Sequence, residues 1–320
     1  RDCIETAPGP TRLVPGGRYS TDFAIAVAVD KYAHHLPLAR QVRMMEGQGL
    51  LVDSQTLWDQ IEALARLHEV LPARIMSYLH TKPVVGADET RWPLLTRKSS
   101  SWYAWCLSGD DAVCYSIEGT RGVDGAKKIL NGYSGTVISD GYEVYKALGR
   151  ASPGFKNAFC WAHVRRGFHK AAKFYPRVSE NIVGLIDELF RVERDANHGP
   201  EQLLEIRKAR AGPVLAALEF WWKNHDASVG NALDRAFSYM RKLWPGLILF
   251  LDDANVPLSN NGTERAVRGL VVGRKNHYGS KSRRGTEVAT IFYSIVESAK
   301  LARVDRSEEH TSELQSPDHL

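Results

Sequence analysis

The chain has 320 residues, 43% of them hydrophobic and 25% charged, a globular composition long enough for two domains rather than a disordered or collagenous one. No apolar run approaches the ~18 residues a membrane helix needs, the best being Leu247–Leu251, so no membrane partner is expected. The formal net charge is +5, and four irregularly spaced cysteines (Cys3, Cys106, Cys114, Cys160) form neither a C-x-x-C pair nor a disulfide framework, which points to a reducing, cytoplasmic setting.

The closing string RSEEHTSELQSPDHL, residues 306–320, resembles the translation of a sequencing-library adapter and reads as a non-native tail. It holds one basic and four acidic residues; without it 41 basic face 33 acidic residues, a net +8. Such an excess favours a polyanionic partner. The chain opens on Arg1 with no signal-peptide pattern, so both ends read as cut.

Residues 1–36 begin Pro/Gly-rich and then carry the apolar run Phe23–Val29. Pro37–Glu46 and Ser54–Leu67 read as two helices split at Gly47–Gly49, with Asp53 or Ser54 as the second cap. The pair reads either as a DNA-reading helix-turn-helix or as a plain helical hairpin, since Leu57, Ile61, Leu64 and Leu67 are spaced as a core stripe. From residue 82 the texture changes to short strands. Pro83–Ala87 ends in Asp88, and Ser101–Leu107 and Ala112–Glu118 flank a Gly109-Asp110-Asp111 hairpin signal. Gly122–Leu130 is helix-like, Gly135–Ser139 is a strand ending in Asp140, Tyr142–Leu148 is helical, and Asn157–Cys160 is a fifth strand. The order is β-β-β-α-β-α-β, with carboxylates closing the first and fourth strands.

From Val164 to about Leu243 the pattern is helical: Ile182, Leu185, Ile186, Leu189 and Phe190 form one stripe, and Gly212-Pro213 breaks a second helix. Trp221, Trp222 and Trp244 read as filling that helical core. Beyond Asp252–Pro257 comes SNNGTERAVRGLVVGRKNHYGS, the most informative stretch.

Asp88 in GADETRW, Asp140 in ISDGYEVY and Glu264 in NGTE each have a plain reading: a turn carboxylate (or a solvated Asp88/Glu89 pair), a helix N-cap, and a capping-box glutamate. Their arrangement argues for more. Where the first and fourth strands are neighbours, terminal carboxylates face one another, and three converging there repel unless cations neutralise them. Hard oxygens select Mg²⁺ or Mn²⁺, and two such ions ~4 Å apart suit phosphodiester chemistry. From Glu264 to Arg284 seven basic residues (Arg265, Arg268, Arg274, Lys275, Lys281, Arg283, Arg284) stand against one acid; Lys275–Arg284 reads as a loop, suited to phosphate contacts or simply a solvated basic surface. Cys160-Trp-Ala-His163 offers a Cys-x-x-His half-site with no second pair, which argues against structural zinc. His163, Arg165 and Arg166 read as help for a phosphate site or as the start of a helix. Deaminase, Gly-x-Ser-x-Gly, Walker and G-x-G-x-x-G signatures are absent.

GADETRWP, ISDGYEVY, FCWAHVRRGF, LSNNGTERAVRGLVVGRKNHYGS and SIVESAKL, in this order, resemble the core of the insertion-sequence-66 family of bacterial transposases over roughly residues 20–305. The resemblance implies an α/β fold: an RNase H-like mixed five-stranded sheet with helices, interrupted by an all-α insertion and preceded by a small helical region. It implies Asp88, Asp140 and Glu264 as a DDE triad holding two Mg²⁺ or Mn²⁺ ions, which cut element ends and join them to target DNA. Asn261, Arg265, Arg268, Arg274, Lys275, Lys281, Arg283, Arg284, His163 and Arg165 would contact DNA. The 52 positions between Asp88 and Asp140 fit such a sheet, whereas the 124 between Asp140 and Glu264 require an insertion. The expected division is 1–80 N-terminal helices, a possible DNA-binding remnant; 81–166 and 252–305 the two parts of the catalytic domain; 167–251 the insertion; and 306–320 the tail. Further implications are terminal repeats and target DNA as partners, a homo-oligomer on DNA, accessory proteins of the same element, a nucleoid-associated place in bacterial cytoplasm, and an upstream zinc region of which Cys3 would be a remnant. Two rival readings remain: a DNA-binding fragment without catalysis, and an RNase H-like nuclease without joining activity.

Overall fold

The computed structural model describes residues 9–14, 16–95, 101–151, 155–195, 199–224 and 230–303; Cys3 and the 306–320 tail lie outside them. Helix α1 (Thr21–Tyr32) occupies the Phe23–Val29 run, followed by α2 (Leu38–Gly47), α3 (Ser54–Leu67) and α4 (Leu71–Leu79). Asp53 starts α3, its Oδ1 accepting from the Thr56 N–H at 2.7 Å. The expected stripe is three-quarters right: Leu57, Ile61 and Leu64 are buried, but Leu67 is 66% exposed.

Strands β1 (Val84–Pro93), β2 (Ser101–Ser108) and β3 (Val113–Glu118) form an antiparallel meander, turned between β2 and β3 by a Gly109 N–H to Ala112 C=O bond of 2.8 Å. After α5 (Val123–Leu130), β4 (Thr136–Ser139) adds parallel to β1. After α6 (Glu143–Ala151), β5 (Lys156–Phe159) adds parallel to β4, giving the order β3-β2-β1-β4-β5. This is a mixed RNase H-like sheet. The first strand does not end at Asp88 as its sequence suggests: pairing with β2 continues from Gly86–Ser108 to Pro93–Ser101, while pairing with β4 stops at Gly86–Ile138.

The two sheet faces follow the period of two along β1. Val85 and Ala87 join Trp105, Leu107 and Val137 under α4, α5 and α6. On the opposite face Trp92, Cys106, Tyr115 and Ile117 pack with α1, α3 and two long C-terminal helices, α12 (Asn261–His277) and α13 (Arg283–Leu301). Alternation of apolar positions thus buries both faces.

Between β5 and α12 lie α7 (Trp161–Ala172), α8 (Pro176–Asp195), α9 (Pro200–Ile206), a π-helical turn Arg207–Ala211, α10 (Gly212–Asn224) and α11 (Ala232–Leu247). Ile182, Ile186 and Leu189 of the α8 stripe are buried with Phe168, Phe237 and Met240, and the cluster reaches Ile138 and Ala158 of the sheet. Trp244 packs edge-on to Trp161 and beside Trp222, as core filling requires. Gly212-Pro213 does not break the chain: the π turn runs directly into α10. That turn carries Arg207, which is 1% exposed. All five of its N–H groups are used: two on Glu193 (2.7 and 2.8 Å), two on the Phe250 and Asp253 carbonyls (2.7 and 3.0 Å) and one on the Val256 carbonyl (3.2 Å). Arg207 therefore pins the 250–256 segment that leads into α12. Among the described residues no helix is long and apolar enough to cross a membrane.

Candidate active site

Asp88 and Asp140 each stand two residues beyond the last paired positions of neighbouring parallel strands, Gly86 and Ile138. Equal offsets on parallel strands bring the two carboxylates to the same level, on the face crossed by α12. Asp88 Oδ1 accepts from the Glu89 N–H at 2.9 Å. Asp140 opens a turn rather than capping α6: its Oδ1 accepts from the Tyr142 N–H at 2.8 Å, and Gly141 takes φ +89, a conformation side chains resist. Leu243 of α11 backs onto Gly141, where a Cβ would approach Leu243 Cδ1 to 2.7 Å, and Tyr239 donates its hydroxyl to the Asp140 carbonyl. The helical insertion thus touches the acidic site directly.

Glu264 sits in the first turn of α12. The capping box suggested by its spacing is not made: the N-cap is Asn260, whose side chain donates instead to the Ala87 carbonyl at 3.0 Å. The Asn260 N–H is held by Cys160 Sγ at 3.2 Å, so the buried cysteine of the Cys-x-x-His half-site anchors the helix start. Close approach to β1 depends on Gly86, where a Cβ would overlap Thr263 Oγ1. The Glu264 carboxylate, 32% exposed, faces α7, with His163 Nε2 3.5 Å from Oε1 and Arg166 Nη2 3.8 Å from Oε2. Its Oε1 is buried without a hydrogen bond.

Burial pushes the Asp88 carboxyl up to about 7, helped by the charges of Glu89, Asp140 and Glu264 against the opposing Glu89 N–H bond. Burial, then Arg166, lowers His163 below the ordinary imidazole range against the pull of Glu264 and Asp140. This is an electronegative site of oxygen donors with an unpaired acceptor in it, which matches the chemistry of a hard divalent cation. As placed, among the described residues, no three His, Cys, Asp or Glu side chains are close enough to hold an ion.

The basic residues divide. Asn261, Arg265, Arg268 and Lys275 are all exposed and stand four, three and seven residues apart, so they share one face of α12 while Thr263, Ala266, Val267, Leu270 and Gly273 face the core. Lys275 is helical, not in a loop, because α12 continues to His277 before Tyr278 ends it in a left-handed conformation and Ser282 caps α13. Lys281 and Arg283 are exposed beside that turn. Arg274 instead donates to Thr90 Oγ1 at 2.9 Å and to the Arg91 carbonyl, and Arg284 pairs with Glu62, Glu69 and Glu287, tying α13 to α3. Arg165 is bidentate on Asp187 of α8, at 2.5 and 3.0 Å. His163 is the member of the DNA-contact set that reaches Glu264, together with Arg166. A cavity of about 680 Å³ opens between the start of β1 and the start of α12, lined by Gly86, Ile138, Ser108, Asn261 and Arg265 among others; none of the three carboxylates lines it.

Sequence reasoning missed Glu89, Arg121, Tyr142, Tyr145 and Tyr239 around this site. Glu89 is not solvated: its side chain is 4% exposed and bound to Arg121. A second acid directly after Asp88 was the only signal available for it.

A mixed sheet in the order β3-β2-β1-β4-β5, with aspartates at the β1–β4 junction and a glutamate on the covering helix, defines an RNase H-like protein. The chain belongs to the Transposase IS66 family, whose model matches residues 16–288. It is also similar to three proteins of Sinorhizobium fredii (strain NBRC 101917 / NGR234). Uncharacterized protein y4jD is 31% identical over 325 residues, covering 94% of this chain and 63% of the relative. Uncharacterized proteins y4hP and y4qI are 28% and 27% identical, each over 95% of this chain and 61% of the relative. The chain thus spans less than two thirds of the length of these relatives.

Proposed function

We propose that this site catalyses metal-dependent phosphodiester chemistry on DNA: cleavage at the ends of a mobile element and transfer of those ends into target DNA. The observation that carries the reading is the equal register of Asp88 and Asp140 on neighbouring parallel strands, with Glu264 on the helix crossing the same face. Membership of a transposase family supports it. Asp88, Asp140 and Glu264 would hold Mg²⁺ or Mn²⁺, with Glu264 turning from His163 and Arg166 to do so. Bound there, the cations would activate the attacking oxygen and stabilise the leaving one. Asn261, Arg265, Arg268 and Lys275 would seat phosphates along α12, and Arg166, freed from Glu264, would meet another. Attack by water gives cleavage; attack by a DNA 3′-hydroxyl gives joining.

Two measurements test this. A Mn²⁺ thermal-shift titration is expected to stabilise the native chain, by about 2.7 kcal/mol at a hundred times the dissociation constant, and to do nothing to Asp140→Asn or Glu264→Gln. Incubation with DNA carrying the element's ends is expected to yield joined strands that Asp140→Asn lowers by about 10³-fold or more. Hydrolysis products alone would favour a nuclease; retained DNA binding with no product from the native chain would favour a binding fragment.

The DNA-facing stripe makes a separate prediction. The slope of log affinity against log salt is expected to fall by about one for each of Arg265→Ala, Arg268→Ala and Lys275→Ala, as lost phosphate contacts require. Arg284→Ala, whose charge is spent on α3 and α13, is expected to leave the slope unchanged and lower stability instead. Equal slopes across all four variants would remove α12 from the interface.

A further inference from the structure

We propose that Arg121 is a positioning residue for the acidic site, locking the Asp140 turn to strand β1. The inference rests on the reading that Asp88 and Asp140 act together on cations, but its structural half is testable without them.

The ladder between β1 and β4 stops at Gly86–Ile138, two residues short of either aspartate. No bond between those strands sets Asp140 against Asp88. Side chains on the opposite face of the sheet do so instead. Glu89 follows Asp88 on β1 and points the other way, toward α6. Both of its oxygens are taken: Oε1 by Arg121 Nε and Nη2 at 3.1 and 2.8 Å, and Oε2 by the Tyr145 hydroxyl at 2.8 Å. Arg121, between β3 and α5, lies with its guanidinium carbon 4.6 Å from the centre of the Tyr142 ring. The Tyr142 hydroxyl returns a bond of 3.1 Å to the Arg121 carbonyl. Tyr142 is the residue whose N–H holds Asp140 Oδ1 at 2.8 Å. One continuous path therefore runs Glu89–Arg121–Tyr142–Asp140.

The composition of the path argues for orientation over bulk stability. The preceding positions on this side of β1, Val85 and Ala87, are apolar and buried, and an apolar residue at 89 would continue that surface without burying a charge. Arg121 itself is 51% exposed, and an ion pair that reaches solvent adds little net stability. A planar guanidinium that puts two N–H groups on one oxygen while stacking on a ring fixes direction in a way a lysine cannot. The helical insertion grips the same turn from the other side through Tyr239 and Leu243, so Arg121 completes a two-sided clamp.

The test uses the full chain with Arg121→Gln and with the double variant Glu89→Gln/Arg121→Gln, which leaves no unpaired buried charge and so guards against simple unfolding. Arg150→Gln, an exposed arginine paired to Glu143 on α6, is the control. Hydrogen exchange of the Tyr142 amide is read in metal-free protein, and Mn²⁺ affinity is read by the electron paramagnetic resonance of free Mn²⁺. Both Arg121 variants are expected to exchange the Tyr142 amide at least about tenfold faster than control, with β1 and β4 amides unchanged. Their Mn²⁺ affinity is expected to fall about 10–100-fold, the range for groups that orient metal ligands. If thermal stability drops while Tyr142 protection and Mn²⁺ affinity hold, Arg121 is structural only and the proposal fails. If Tyr142 protection is lost but the native chain binds no Mn²⁺, the clamp stands and the cation reading beneath it fails.

Discussion

Asp88→Asn is expected to make the metal-free protein more stable than the native chain at pH 8, while abolishing its response to Mn²⁺. The sign follows from the raised carboxyl. In the unfolded chain Asp88 loses its proton near its ordinary 3.8, but in the fold it holds it to about 7. Between those values the folded state carries the extra proton, so stability falls as pH rises through the window. The full difference corresponds to roughly 4 kcal/mol at most above pH 7, and solvent reaching the half-buried side chain reduces it. Asparagine carries no such penalty. Denaturant unfolding at pH 4.5 and pH 8 is expected to give a falling profile for the native chain and a flatter one for Asp88→Asn. Saturating Mn²⁺ should remove the fall in the native chain alone. A native profile flat between pH 4 and 7 would mean that Asp88 is neither as buried nor as crowded by Glu89, Asp140 and Glu264 as its surroundings indicate.

Arg207→Met is expected to lower stability by about 3–5 kcal/mol, the usual cost of breaking a buried ion pair from one side. The cause is more than one salt bridge. Glu193 is left partly buried without its cation, and the Phe250, Asp253 and Val256 carbonyls lose their donors together. Adding Glu193→Gln relieves the first loss but not the second, so the double variant should recover only part of the stability. Because the pinned segment leads to Leu258, whose carbonyl accepts from the Trp161 N–H at 2.9 Å, and on to Asn260, amide exchange should also quicken at the start of α12. A loss below about 1 kcal/mol would show that the segment is held by packing rather than by these bonds.

What could be read from the sequence follows how local each signal is. The strands β2 to β4 were legible because Trp, Tyr, Val and Ile runs end at Gly and Asp residues. The far half of β1 was not, because Asp88-Glu89-Thr90-Arg91 breaks the apolar alternation while the backbone goes on pairing with β2. Helix α1 was hidden for the opposite reason: AIAVAV is apolar on several sides at once, so no single stripe marks a helix. At the site, the aspartates stood out by ending apolar runs, and Glu264 by the basic stretch behind it. Its surroundings did not stand out. Tyr239 lies 99 positions from Asp140, and Arg207 grips carbonyls 43 to 49 positions away. Contacts with backbone carbonyls leave no pattern in the partner's side chains. The paired arginines make the same point in reverse: Arg165 and Arg284 look free in a list of charges, and only the fold reveals Asp187, Glu62 and Glu69 beside them.

The insertion between β5 and α12 also sets an order of events during synthesis. Glu264 is translated 124 residues after Asp140, which at bacterial and eukaryotic elongation rates is a delay of roughly 6 to 25 s. Throughout that interval the growing chain carries Asp88, Asp140 and the strands that present them, but not the helix that closes the site. Helices α7 to α11 must emerge first, and two of their residues, Tyr239 and Leu243, already brace the Asp140 turn. A ribosome stalled or released inside this stretch would leave a chain with the sheet's two aspartates and without Glu264. Completion of the site is thereby tied to synthesis of the entire insertion.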